Sequence, residues 1–86
     1  METDDAVVAE VVGFLRTKLR IDTGGVGRDT PLVSTGLVDS VALVRLASFL
    51  EQRFGLRIPD RDVTVEHFDT LALILAYLYR RQGRTS

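Results

Sequence analysis

Side-chain catalysis needs a nucleophile beside a base, opposed carboxylates in a pocket, or a metal held by several ligands. This chain offers few of those parts. It has no cysteine and one histidine, His67, which excludes thiol nucleophiles, thiolate zinc sites, disulfide scaffolds and a multi-histidine metal centre. His67 falls on a one-turn helix with no evident partner and reads as a surface or capping residue. Asp60, Asp62, Glu66 and Asp69 form a local acidic cluster offset only by Arg61. They lack the glycine-bearing spacing of a calcium loop and read as a solvated, partner-facing surface. The informative segment is Gly36-Leu37-Val38-Asp39-Ser40-Val41, where a serine opens a strongly amphipathic helix and its hydroxyl is expected to be exposed. On those residues alone, capping accounts for both Asp39 and Ser40, since Asp and Ser commonly precede an apolar run.

The elements that must position this serine follow from periodicity. Val7, Val8, Val11, Val12, Leu15 and Leu19 recur at spacings of three and four, predicting helix I from about Asp4 to Arg20. Thr3 is its expected N-cap, Asp4 and Asp5 suit the positive dipole end, and Lys18 and Arg20 suit the negative end. Gly13 inside it either costs on the order of 1 kcal/mol relative to Ala or marks close packing. From Ile21 to Asp39, Gly24, Gly25, Gly27, Pro31 and Gly36 break any period and mark a loop of about nineteen residues. Leu32 and Leu37 are the expected anchors of that loop to the core.

Leu43, Leu46, Ala47, Leu50 and Phe54 define helix II from about Ser40 to Phe54, with Asp39 as N-cap and Gly55 closing it. Leu56 to Asp60 is a short connection with Ile58 as a buried anchor and Pro59 as a breaker. Thr64 is expected to cap a one-turn helix III, and Asp69 to cap a last helix. That helix carries Leu71, Leu73, Ile74, Leu75 and Leu78 on its apolar face and ends in Arg80, Arg81 and Gly83. No internal repeat is present. The expected fold is all-α: a small four-helix bundle of three longer helices and a short helix III, with a long loop between helices I and II. Residues 1–86 are read as one domain.

Composition narrows the function. Of the 86 residues, 45% are hydrophobic and 27% charged, and the net charge is −1, which leaves no cationic surplus for gripping nucleic acid. The longest apolar run, Leu71 to Tyr79, is far shorter than the roughly 20 residues of a membrane helix. The acidic start, Met1 to Asp5, has the wrong charge for a signal peptide. A cytoplasmic location and no membrane association are expected.

Placed on a wheel at about 100° per residue, the core stripe of helix II points away from Val41, Arg45 and Ser48, with Val44 on the flank. Two β-branched apolar residues thus stand near Ser40 on a face where solubility favours charge. They are either a docking patch or covered by the long loop.

These residues resemble the acyl carrier protein family, the phosphopantetheine-bearing carriers of fatty-acid, polyketide and non-ribosomal peptide assembly. The resemblance covers nearly the whole chain. It rests on Asp39-Ser40 followed by apolar Val41, on Gly36-Leu37 before them, and on the long Gly- and Pro-containing loop. It continues through Leu50-Glu51-Gln52-Arg53-Phe54-Gly55 into Ile58-Pro59-Asp60, then Thr64, Glu66, Phe68, Asp69 and Thr70. The resemblance implies that Ser40 bears 4′-phosphopantetheine through a phosphodiester, donated by coenzyme A under a separate magnesium-dependent phosphopantetheinyl transferase. The terminal thiol would hold an acyl or aminoacyl group as a thioester, and the carrier itself would catalyse nothing. A helix start suits this, because free amide donors and the positive dipole end favour a phosphate.

Carried over by position, Asp39 would help orient the transferase, and Val41, Val44, Arg45, Ser48, Gln52 and Glu66 would be read by partner enzymes. Those partners would be a loading ligase for the acyl or aminoacyl group and downstream synthases or transferases. One departure stands out: many fatty-acid carriers present an acidic helix II, whereas residues 40–54 carry Arg45 and Arg53 against Glu51, a sum of +1. A like charge facing a basic partner costs on-rate and affinity. The expectation is a discrete, monomeric acyl carrier of a specialised polyketide or lipid-like pathway. An aminoacyl or peptidyl carrier is the alternative, and a helical interaction domain with Ser40 as a mere cap is the rival from another class.

Overall fold

A computed structural model of the chain describes residues 3–82, which form helices and connecting loops with no strand among them. The elements are α1 (Asp4–Thr17), α2 (Ser40–Phe54), a single 3-10 turn at Asp60–Asp62, α3 (Val65–Phe68) and α4 (Leu71–Arg81). This is the four-helix arrangement, with short α3 and a long first loop, that the periodicity predicts. Met1, Glu2 and Gly83, placed by the sequence at the acidic start and the end of the last helix, lie outside the described residues.

The first helix begins as expected, with the Thr3 hydroxyl accepting from the Ala6 amide at 3.1 Å. It ends sooner, at Thr17 and not at Arg20. The Thr17 hydroxyl turns back onto the Gly13 carbonyl at 2.6 Å, the amides of Lys18 and Leu19 converge on the Phe14 carbonyl, and Arg20 takes a left-handed φ of 56°. That conformation costs a non-glycine residue roughly 1 kcal/mol, and it redirects the chain so that Ile21 bonds the Leu15 carbonyl. Of the cations assigned to the dipole, Lys18 still closes the helix, whereas Arg20 lies beyond it.

The second helix has the predicted limits. Asp39 caps it, and Gly55 closes it at φ 63°, a left-handed position that favours glycine. The third helix forms after Thr64, but the Thr64 hydroxyl makes no capping bond and is left buried without a partner. Its apolar neighbour Phe68, fully buried, holds the turn in place instead. Thr70, and not Asp69, caps α4, accepting from the Leu73 amide at 3.1 Å.

One core gathers Val7, Val11 and Leu15 of α1, Leu43, Leu46, Ala47 and Leu50 of α2, Phe68 of α3, and Leu71, Ile74, Leu75, Tyr77 and Leu78 of α4. Burying each large side chain of this kind stabilises by about 1.5–3 kcal/mol before entropic costs. Phe54, expected in the core stripe, is only half-buried, with the Arg53 guanidinium over its ring. Leu73 is exposed, and Tyr77 takes the place on α4 that the apolar pattern assigned to leucine. The Tyr77 hydroxyl donates to Asp62 Oδ2 at 2.7 Å, tying the 3-10 turn to α4. Burial, reinforced by that carboxylate, pushes the phenol up to about 12.

A Cβ built on Gly13 meets nothing within 4 Å, so the glycine does not mark close packing, and it weakens α1 for no steric return. Gly13→Ala is therefore expected to stabilise the fold by about 0.5–1 kcal/mol, read as a higher midpoint in urea with an unchanged m-value.

Candidate functional site

Ser40 is the first residue of a fifteen-residue helix and is exposed. Its setting is built by the residues before it. Val38 is fully buried, and its amide bonds the Leu32 carbonyl at 2.9 Å. Gly36, at φ 83°, makes the turn onto Val33 that lets the chain double back. Asp39 then caps α2: Oδ1 accepts from the Ala42 amide at 2.8 Å, and its carbonyl accepts from Leu43 at 2.8 Å. The first-turn amides of Ser40 and Val41 have no acceptor inside the helix.

The long loop is held by Asp69, which the sequence placed in a solvated acidic cluster. Asp69 Oδ1 accepts from the amides of Leu32, Val33 and Ser34 at 3.2, 2.9 and 2.9 Å, and Oδ2 accepts from the Ser34 hydroxyl at 2.9 Å. The Asp69 carbonyl accepts from the Leu32 amide as well, at 2.6 Å. Hydrogen bonding from Ser34, Val33 and Leu32, with the Ser34 amide the largest cause and burial opposing it, holds the carboxyl below its usual value. Because Asp62 is bonded to Tyr77, two of the four acidic residues are structural acceptors and not a partner-facing surface. The pins that fix the loop are Leu32 and Val38, both fully buried, whereas Leu37, the second expected anchor, is exposed.

The loop leaves the helix face bare. Val41 is 69% exposed and Val44 58%, so the long loop does not cover them. Arg45, Ser48 and Gln52 are exposed along the same helix. Of the other two charges on α2, Arg53 is held by Glu10 through contacts of 2.6 and 2.7 Å, and Glu51 Oε2 accepts the Ile58 amide at 2.8 Å. The sum of +1 on helix II therefore resolves into two committed charges and one exposed cation, Arg45.

Val44 and Ser48 also line a groove of about 370 Å³ with Ala47, Glu51, Ile58, Asp60 and Val63. Asp60 is the one member of the acidic cluster in this lining, and Val63 has no sequence signal for it; their placement comes from the 3-10 turn, which the pattern around Pro59 does not announce. Glu66 lies on α3 outside this lining, its carboxylate exposed and 3.8 Å from His67 Nε2. His67 is half-buried, its ring tilted against Tyr77 at 5.0 Å between centroids, with Arg80 Nη2 3.3 Å from its Nδ1. No group of three or more potential metal ligands occurs among the described residues, and none of their helices is long and apolar enough to cross a membrane.

The model of the phosphopantetheine attachment site family matches residues 9–78. The chain is 26% identical over 83 residues to the acyl carrier protein of Thermotoga maritima, covering 96% of this chain and all of that one. It is equally similar to the acyl carrier proteins of Rickettsia canadensis and Rickettsia typhi, with 94% of each covered. The chain belongs to the phosphopantetheine attachment site family. It is an acyl carrier and not a catalyst, its cofactor is covalently attached 4′-phosphopantetheine, and it serves a phosphopantetheinyl transferase and biosynthetic enzymes. An exposed hydroxyl at the mouth of a long helix, beside unengaged amides, fits a phosphodiester.

The Asp69 cradle gives a pH dependence with a definite sign. Its folded pKa is depressed, so its contribution is fully present above the unfolded value near 4 and is lost as pH falls through the lower folded value. Asp69→Asn is expected to lower the melting temperature by several degrees at pH 7 and to flatten the acid limb of stability against pH. Thermal melts from pH 7 to pH 2 check both.

Proposed function

We propose that Ser40 is the residue that bears the phosphopantetheine arm, and that the carrier serves a specialised acyl pathway, of polyketide or lipid-like chemistry. The observation that carries the attachment is the place of Ser40 as the exposed first residue of α2, after a capping Asp39 and before an uncovered Val41. The other described serines are poor candidates: Ser34 spends its hydroxyl on Asp69, and Ser48 lies two turns into the helix. The transferase forms the bond from Ser40 Oγ to the proximal phosphorus of the coenzyme A pyrophosphate. The P–O bond to the adenosine phosphate breaks, 3′,5′-adenosine bisphosphate leaves, and the hydroxyl proton passes to a base of the transferase. This chain's part is to hold the hydroxyl in solvent, to offer first-turn amides to the phosphate, and to present Asp39 and the α2 face for docking.

The specialised role rests on the polarity of that face. Arg45 stands one turn beyond the serine as the exposed, uncommitted charge of α2, flanked by Val41 and Val44. Asp39, Val41, Val44, Arg45, Ser48, Gln52 and Glu66 are the proposed recognition residues. Partner enzymes fitted to an acidic helix with their own cations meet repulsion at Arg45, whereas enzymes dedicated to this carrier do not.

Incubation with coenzyme A, magnesium and a broad-specificity phosphopantetheinyl transferase is expected to add one phosphopantetheine by intact-protein mass spectrometry, and Ser40→Ala is expected to gain nothing. A folded parent left unmodified by several competent transferases would return Ser40 to a helix cap. For the pathway, fatty-acid elongation enzymes are expected to use the holo-carrier poorly and to use Arg45→Glu several-fold better. Equal service to the parent, with no gain in the variant, would place it in general fatty-acid synthesis.

A further inference from the structure

At the end of the molecule away from Ser40, two helices finish side by side. The fifteen residues of α2 carry the chain about 22 Å from the serine, and the Gln82 side-chain amide at the end of α4 donates to the Phe54 carbonyl at 3.4 Å. Arg81 Nε donates to the Arg57 carbonyl at 3.2 Å, which sets Arg81 against the connection that follows α2. The Arg80 guanidinium stands 5.8 Å from the centre of the Tyr77 ring and reaches His67 Nδ1. The charges of Arg81 and Arg61 both act on the Tyr77 phenol. Four arginines, Arg57, Arg61, Arg80 and Arg81, are thereby gathered around the last turns of α4.

All four are exposed, and none makes an ion pair among the described residues. Residues 55–62 and 77–82 set these four cations against Asp60 and Asp62, a sum of +2 in a chain of net charge −1. The Tyr77 hydroxyl engages Asp62, which leaves Asp60 as the exposed carboxylate of these two segments. Two helix C-termini together amount to about one negative charge, so complementing the dipoles does not use up the excess. Beside Arg57 the surface opens into a cleft of about 650 Å³, lined in part by Leu56, Ile58, Pro59 and Asp60.

We infer that this end of the molecule is a docking surface for an acidic segment of a partner protein, which sets carboxylates on Arg57, Arg80 and Arg81 and an apolar side chain in the cleft beside Pro59. Guanidinium groups bind carboxylates through paired hydrogen bonds, and an excess of exposed cations chooses an acidic segment over a basic one. The adjoining cleft favours a segment in which acidic and apolar side chains are mixed. A partner held here leaves Ser40 uncovered, so holding the carrier and reaching the serine do not compete. The inference does not rest on the attachment of an arm at Ser40.

The test is a titration of the isotopically labelled carrier with a synthetic peptide of interspersed glutamates and leucines, followed by amide chemical shifts. The same peptide with glutamine at the glutamate positions serves as control. The expected result is shifts centred on residues 55–62 and 77–82, weakened by added salt. Affinity is expected to fall about fivefold or more for the glutamine peptide and for Arg57→Glu, and to be largely kept by Arg57→Lys. Arg57 enters the fold through its carbonyl and not its side chain, so both variants are expected to give the parent's spectrum away from the substitution. Ser40→Ala and Arg45→Glu are expected to bind as the parent does, which separates this surface from the serine and from the exposed face of α2. Equal binding of the glutamine peptide would overturn the proposal, as would shifts centred on Val41 to Ser48 or no binding at all. Binding to phosphatidylglycerol vesicles but not to the peptide would overturn it in favour of a membrane surface.

Discussion

The structure turns on one carboxylate. Asp69 sits between the short α3 and α4 and takes three consecutive backbone amides and one hydroxyl from a loop more than thirty residues away in sequence. A connection spanning residues 18–39 without this anchor would expose several backbone donors with no regular partner, which is costly wherever they are near the core. With it, Leu32 and Val38 are drawn into the core as two fixed pegs. The chain between them is forced through the Gly36 turn, and the residue after the second peg is the cap of α2. The position of Ser40 is therefore set by packing and hydrogen bonds made on both sides of it, and not by its own hydroxyl.

That arrangement suits a carrier. A residue that must be reached by a transferase and then by enzymes acting on the cargo has to stand out from the fold without being loose. Here the rigid parts are Asp39, bonded into the helix start, and Val38, buried beneath it. The parts left exposed are Ser40 and, after it, Val41, Val44 and Arg45. The charges on α2 divide the same way. Arg53 and Glu51 are spent on Glu10 and on the Ile58 amide, fastening the helix to α1 and to the following connection, while Arg45 is left outward beside two valines.

Most of the helical framework was legible because apolar residues at intervals of three and four leave few alternatives over fourteen or fifteen residues. The limits of α2 are legible too, since Asp39 and Gly55 are strong start and stop signals at its ends. The errors fall where a long-range contact overrides a local rule. Asp69 and Thr70 are both good capping residues, and only the demand of the loop amides decides that the aspartate faces backward and the threonine caps α4. Leu37 and Val38 are both apolar, and the turn at Gly36 selects the second for the core. Leu73 falls on the outer side of α4, while Tyr77 enters the core because Asp62 is there to satisfy its hydroxyl. Arg20 was read as helical, but the backbone reverses there through a left-handed conformation that its side chain does not signal.

By itself, then, the sequence determined the helices, their order and the serine at the head of the second helix, because each depends on neighbours within a few residues. The tertiary structure decided what holds the loop, which of its apolar residues enter the core, that Val41 and Val44 stay bare, and that Arg53 and Glu51 are engaged while Arg45 stays exposed. Those outcomes depend on groups brought together from distant parts of the chain, where hydrogen-bond demand and close packing, and not local spacing, choose the partner.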